Sequence, residues 1–441
     1  MIELDPFAFT QSISSKSTMS LSRRQFFSLA SKSVAGAVLL SPLQACYAEK
    51  AFAAGPYGPL QPDPNRVLDL PSGFSYVRLS EAGQTMSDGY KVPGKHDGMA
   101  AFPGANDTTI LIRNHELKPT DRTSVGAPDS KKYDSKCKGG TTTLVVASDL
   151  KVIEQYGSLA GTYRNCSGAR TPWNTWLTCE ETVATPTIEN VHKKHGYVYE
   201  VPVSATGFVN PVPLTAMGRF NHEAAPIDPD TGYVYMTEDR GNSLFYRFVP
   251  SQKGNLSAGG ELYALKIRGM PKAFTKTRFP VGQPKEVEWV KIDNPDPDTD
   301  TVRVEGFNKG AAQFSRGEGA FYSDNYVYFC CTNGGRSGDG QIWRYSTVNN
   351  TIELYLEPNN SGLLNKPDGI VLAPNGHLLL GEDGPWTNYI VGATPTGQLY
   401  QFARNAKNGS EFGGLCFSPD GKTMFVNIYN PGITFAITGP W

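Results

Sequence analysis

The chain predicts an all-β fold: a six-bladed β-propeller with a central metal-binding channel. Three observations carry this. A unit of strand, tight turn and strand recurs along the chain. The composition, with 46 Gly, 32 Pro and 21 Tyr in 441 residues, favours strands and turns over helices. Heptads, long helical periodicities and low-complexity linkers are absent.

The units open at His96-Asp97-Gly98-Met99, Ser167-Gly168-Ala169, His222-Glu223-Ala224-Ala225, Gly317-Glu318-Gly319-Ala320, Pro367-Asp368-Gly369-Ile370 and Phe412-Gly413-Gly414-Leu415. They close at Asn114-His115-Glu116, Cys179-Glu180-Glu181, Glu238-Asp239, Thr332-Asn333, Glu382-Asp383 and Asn427. Glu223 to Glu238 spans 15 residues, and Glu318 to Thr332 and Asp368 to Glu382 each span 14. The turns between them, such as Asp228-Pro229-Asp230-Thr231-Gly232 and Pro374-Asn375-Gly376, have hairpin chemistry. Outer strands follow, for example Gln341-Ile342-Trp343-Arg344-Tyr345 and Gln398-Leu399-Tyr400-Gln401-Phe402. In a propeller the innermost strands line one channel, so openings and closings meet at one rim.

The N-terminal segment reads differently. Arg23-Arg24 before Phe26-Phe27, then the short apolar run Ser33 to Leu40 and small residues, make a secretory signal of the twin-arginine kind. The run is too short to span a bilayer, so no membrane span is expected in the mature protein. Residues 1–53 are assigned to this signal and leader, and residues 54–441 to one propeller domain. Leu43-Gln44-Ala45-Cys46 is a poor lipoprotein site because of Gln44. Export by the twin-arginine translocation machinery, to the periplasm or the exterior, suits a protein that folds around metals before crossing.

With 41 Lys+Arg against 42 Asp+Glu, no charge excess points to nucleic acid or a membrane surface. Seven cysteines include Cys46; a Cys137–Cys166 disulfide is open in an oxidising compartment, and the connectivity is not readable from sequence. The chain is expected to be a monomer.

The stretch Trp176-Leu177-Thr178-Cys179-Glu180-Glu181 sets a thiol beside two carboxylates at a strand end. Thiolate suits iron, zinc or copper, whereas carboxylates suit calcium, magnesium or manganese, so more than one metal is expected. A dry ring of unpaired carboxylates costs several kcal/mol per ion, and cations must offset it. Arg316, two residues before Glu318, would face the same side of an extended strand. Its planar fork suits a phosphoryl group, or a rim carboxylate.

Taken together, His96-Asp97-Gly98-Met99, Arg113-Asn114-His115-Glu116, Thr178-Cys179-Glu180-Glu181, Gly218 to Ala224, Thr237-Glu238-Asp239-Arg240, Arg316 to Ala320, Lys366-Pro367-Asp368-Gly369 and Gly381-Glu382-Asp383-Gly384 resemble the PhoX-type alkaline phosphatases. The resemblance runs from about Pro71 to the C-terminus. It implies a secreted six-bladed propeller that hydrolyses phosphate monoesters for phosphate scavenging. It also implies a cluster of two ferric ions with an oxo bridge and two or three calcium ions. By that resemblance Cys179, Glu223 and Glu318 are iron-side ligands. Glu116, Glu180, Glu181, Glu238, Asp368 and Glu382 are calcium-side or bridging ligands, and Arg316 binds phosphate. Asn114 and Asn221 would orient phosphate or metal-bound water. The chain is short for the family, which leaves the loops that choose the ester open. The alternatives are a calcium-dependent lactonase-like propeller, which needs neither Cys179 nor doubled glutamates, and a calcium-binding propeller without catalysis.

Overall fold

The computed structural model describes residues 55–441; the expected export signal lies outside them. Antiparallel strands dominate, and Val302–Asn308 is a single short α-helix among the described residues. No helix among them is long and apolar enough to cross a membrane.

The hydrogen-bonded sheets number five among the described residues, arranged as an all-β, propeller-like ring. The first contains His96–Pro103, Thr109–His115, Gly139–Val146 and Val152–Thr162. The second has three strands, Asn165–Arg170, Thr175–Glu180 and Val198–Pro202. An eight-stranded sheet comes next, running from Val234–Met236 to Lys285–Lys291 and from Gly317–Ser323 to Thr351–Leu356. Its halves meet at a narrow seam, where Lys285 pairs Ile352 and Glu286 pairs Thr351. The expectation of six separate sheets is therefore not met as such: outer strands of two neighbouring units have zipped together.

Chain closure follows from pairing between distant segments. Ser75–Glu81 completes the sheet of Phe412–Phe417, Thr423–Ile428 and Ile433–Thr438. Leu68–Pro71 likewise adds to Leu399–Asn405 in the remaining sheet. Both pairings tie the start of the described chain to its end, which covers sheet edges that would otherwise be open.

Strand alternation places apolar side chains on both faces of each sheet, so the core is a set of layers between sheets. Phe102 and Ile112 of the first sheet pack with Trp176 and Tyr199 of the second. Leu111 and Leu144, on the opposite face, pack with Phe425 and Ala436 of the last. Trp343 and Phe329 meet Phe245 and Leu265 across the two halves of the eight-stranded sheet. Each such fully buried large side chain contributes about 1.5–3 kcal/mol relative to exposure. These layers hold the inner strands at fixed distances and so fix the mouth of the channel.

Candidate metal centre

A β-bulge recurs at the start of the innermost strands. Register shifts lie between His96 and Met99, Asn165 and Gly168, Gly317 and Ala320, Pro367 and Ile370, and Gly413 and Cys416. In each, two residues oppose one on the partner strand, which frees a side chain from the ladder and re-aims it. The first residues in these bulges are Asp97, Cys166, Glu318, Asp368 and Gly414. His222, which bridges Glu238, sets Glu223 at the same position. Small residues follow the ligands because the inner strands nearly touch. A Cβ on Gly98 would lie 2.6 Å from the Cys166 carbonyl oxygen, and one on Gly319 would lie 2.4 Å from that of Asp368.

The partner strands supply a second set, one residue past the last ladder pair. His115, Glu180, Glu238 and Glu382 pair with the bulge openings. The residues after them, Glu116, Glu181, Asp239 and Asp383, turn toward the mouth. Donor atoms converge within 4.8 Å of one another in three overlapping groups: Asp97, Glu116 and Cys166; Cys166, Glu181 and Glu223; Glu223, Glu318 and Asp368. Below them the channel is a cavity of about 330 Å³ lined by backbone and mostly apolar side chains, so the donor ring occupies one mouth and not the whole channel.

Both carboxylate oxygens of Glu223 are buried without a hydrogen-bond partner. Burial, with neighbouring Glu318 and Glu181, pushes its carboxyl well above the usual range. Burial likewise raises Asp97, Glu181, Glu318 and the Cys166 thiol, reinforced by the same crowd of carboxylates. Asp368 is pushed up to about 7 by burial and Asp383. Glu411 is raised by burial and its hydrogen bond with Asp383. Such a site is stable as an ionised ring only with cations in it, and its donors fit them. A thiolate among carboxylates matches a softer metal beside hard ones.

Two arginines brace the ring. Arg164 donates through Nε to Glu116 Oε1 (2.7 Å), and its NH2 meets Glu181 Oε2. Tyr429 donates to the other oxygen of Glu116. Arg316 grips Asp239 with Nε and NH2 at 2.7 and 2.9 Å. Its NH2 also lies 2.7 Å from Glu318 Oε1, an ion pair without hydrogen-bond alignment. The Arg316 side chain stays 35% exposed at the mouth. Lys366 stands near Arg316 and Lys276, and burial with these cations lowers its pKa.

Several expected site residues lie elsewhere. Cys179 packs in the apolar layer with Leu177, Val198 and Met236, on the face of its strand away from the donors. The thiol at the mouth is Cys166, whose Sγ donates to Asp97 Oδ2 at 3.3 Å. Cys137 is remote from it and all described cysteines are free, so the Cys137–Cys166 bridge does not form. Glu180 is saturated by the backbone N–H groups of Tyr163, Gly196 and Tyr197 and by His195 Nδ1. Glu238 accepts from Leu244 N–H and the Tyr246 hydroxyl. Glu382 accepts from Asn365 and Tyr389 N–H. All three are buried acceptors for outgoing loops, not members of the donor groups. Asn114 is also fully engaged: its amide donates to the Cys166 and Ser167 carbonyls and accepts from Trp176 and Thr178. Asn221, oriented with its oxygen toward Arg240, accepts from Nε at 2.7 Å. Glu116, Glu181, Glu223, Glu318 and Asp368 do come together, joined by Asp97, Cys166, Asp239, Asp383 and Glu411, which sequence reasoning did not select. The signal for the bulge donors was a donor residue directly followed by a small one, as in Asp97-Gly98, Cys166-Ser167 and Glu318-Gly319.

Fold and site together define a propeller-like protein with a buried polycarboxylate and thiol centre at one channel mouth. The family model described as alkaline phosphatase PhoX matches residues 55–155 and 147–432. The chain belongs to that family and is a phosphatase acting on phosphate esters, which decides against the lactonase alternative. The solved PhoX of Pseudomonas fluorescens, described in complex with vanadate, a transition-state analogue, is similar in fold: TM-score 0.65 at 20% identity, covering 88% of this chain and 98% of that one. A gluconolactonase from Xanthomonas campestris aligns with a TM-score of 0.43 at 10% identity, over 87% of this chain and 99% of that one. Comparison with curated protein sequences finds no match.

Proposed function

We propose that the protein is an exported phosphomonoesterase whose mouth ring holds iron and calcium. The observation that carries it is Glu223, a buried carboxylate with neither oxygen hydrogen-bonded, set among donors from neighbouring inner strands. Iron belongs on the side of Cys166, Glu181 and Glu223, where the sulfur donor lies. Calcium belongs with the all-oxygen group of Glu318 and Asp368 beside Glu223, and with the Asp97 and Glu116 carboxylates that share Cys166, since it takes 6–8 oxygens in flexible geometry. Metal ions bound there would supply positive charge and Lewis acidity to a phosphoryl group.

The chain's own residues bind and orient the ester. Arg316 is pre-aimed by Asp239, and its exposed edge at the mouth is suited to phosphoryl oxygens. Lys366, whose burial weakens its hold on a proton, adds a second cation beside it. Arg164 and Tyr429 fix Glu116 and Glu181 so that the ring does not relax when the substrate arrives.

Six blades are the reading we favour for the ring. It is supported by the two-residue seam that divides the eight-stranded sheet, and by the channel lining, to which six separate inner segments contribute. The remaining expectations, twin-arginine export and a periplasmic or extracellular location, rest on Arg23-Arg24 and the apolar run after them. Elemental analysis of natively exported protein, with turnover of an aryl phosphate, tests the proposal. Iron and calcium together with turnover are expected; a metal-free protein that turns over ester would end it.

A further inference from the structure

A second cluster of metal-ligating side chains lies away from the mouth. Asp134-Ser135-Lys136-Cys137 and His192-Lys193-Lys194-His195 each repeat the two-residue spacer between donors that is common in zinc sites. The first sits in the loop before Gly139–Val146, the second in the loop before Val198–Pro202. Asp134, Cys137 and His195 are buried, and one donor atom of each lies within 4.8 Å of the others. His192 stands at the rim, its Nδ1 3.5 Å from Asp134 Oδ1.

The two edges of the His195 ring differ in a telling way. Nδ1 lies 2.7 Å from Glu180 Oε1, an ordinary charge-assisted hydrogen bond. Nε2 lies 3.4 Å from Cys137 Sγ and 3.5 Å from Asp134 Oδ2. The latter is long for a hydrogen bond, which prefers 2.7–3.2 Å, while Asp134 Oδ2 accepts ordinary bonds from the backbone N–H groups of His192 and Lys193 and Oδ1 accepts from that of Lys136. A tetrahedral zinc ion, with Zn–S about 2.3 Å and Zn–N about 2.0–2.1 Å, separates such donors by roughly 3.3–3.6 Å. The spacing fits an ion between them. Glu180 then takes the part of the outer carboxylate that fixes the tautomer of a metal-bound histidine.

We infer that Asp134, Cys137 and His195 form a structural zinc-class site, with His192 closing the fourth position and Glu180 orienting His195. The site clips the loop of one sheet to that of its neighbour. It sits one residue along the chain from Glu181 of the mouth ring, yet needs none of the ring's metals. Its competitor is a proton. In a metal-free site Glu180, foremost, and then Asp134 overcome burial and hold His195 up to about 12. Burial keeps Cys137 a thiol. Metal ligation needs an unprotonated Nε2 and a thiolate Sγ, so protons and the cation compete for the site.

The test titrates cobalt(II), as a spectroscopic stand-in for zinc, into the full-length metalloprotein with its central metals retained and its thiols reduced. One equivalent should bind with a thiolate charge-transfer band and tetrahedral ligand-field bands. Cys166→Ser, although it gives up its iron, should still show the thiolate charge-transfer band, because the mouth thiol is not involved, and Cys137→Ser should lose it. Glu180→Gln should weaken affinity about 10–100-fold, as for lost outer partners; His192→Ala should weaken it while leaving the thiolate band. No binding beyond the central complement, or an unchanged signature in Cys137→Ser, overturns the site. If Cys137→Ser does not fold, zinc-edge X-ray absorption of Cys166→Ser decides instead: one sulfur with nitrogen and oxygen neighbours supports the site, and no sulfur overturns it.

Discussion

At the scale of single residues, the chemistry turns on which thiol and which carboxylates reach the mouth. Cys166 is flanked by Asp97, Glu181 and Glu223, whereas Cys179 faces Leu177 and Val198. Cys166→Ser should therefore lose iron and any visible thiolate-to-iron absorption, and Cys179→Ser should keep both; equal iron in the two variants would refute the assignment. Arg316 gives the sharpest kinetic test. Its fork is shared between Asp239 and the mouth, so Arg316→Ala should cost about 3 kcal/mol in kcat, the scale of a lost transition-state donor. Arg316→Lys, which keeps charge without the fork, should cost less. Metal content should stay at the wild-type level in both, because a guanidinium is no ligand. Wild-type turnover in Arg316→Ala would remove it from the phosphoryl site.

At the scale of elements, the bulge decides what alternation alone does not. The repeated openings and closings were legible because hairpin turns and strand alternation leave strong marks, as in Asp228 to Gly232 and Pro374 to Gly376. So were Glu223, Glu318 and Asp368, each an acid before a small residue. The closings misled by one residue. In Glu180-Glu181, Glu238-Asp239 and Glu382-Asp383 the first acid still belongs to the ladder or bridge and turns to outgoing backbone N–H groups, and the second has left it. Nothing in the pair of letters says where a ladder stops. Cys166 was missed for a related reason: the opening read from Ser167 begins one residue after the bulge's first position. The bulges also make a packing prediction. Gly319→Ala would press a methyl to 2.4 Å from the Asp368 carbonyl oxygen and should destabilise by about 1–3 kcal/mol in denaturant unfolding. It should also weaken calcium retention, since Asp368 would shift; an unchanged midpoint would mean that the inner strands yield freely.

At the scale of the whole molecule, stability and metal content should be linked through pH. Among the ring's own carboxyls, Asp368 is pushed up to about 7 by burial and Asp383, from an ordinary 3.8, and burial raises Asp97, Glu181, Glu223 and Glu318 well above their ordinary values. A raised carboxyl stabilises the fold below its unfolded pKa, and this contribution is lost as pH rises through the folded value. Chelator-stripped protein should thus lose stability between about pH 3.8 and 7, read as a falling Tm. Cations in the ring favour the ionised forms, so protein with its metals should show a much flatter profile. Parallel profiles would mean that the carboxylates do not depend on cations. Everything proposed for this site depends on the bulge residues of neighbouring inner strands holding metal at one mouth. Anomalous diffraction at the iron edge, from crystals of the exported protein, tests it most directly. Iron should lie within coordination distance of Cys166 Sγ and the Glu223 carboxylate; iron beside Cys179, or none at the mouth of an active enzyme, would refute the assignment.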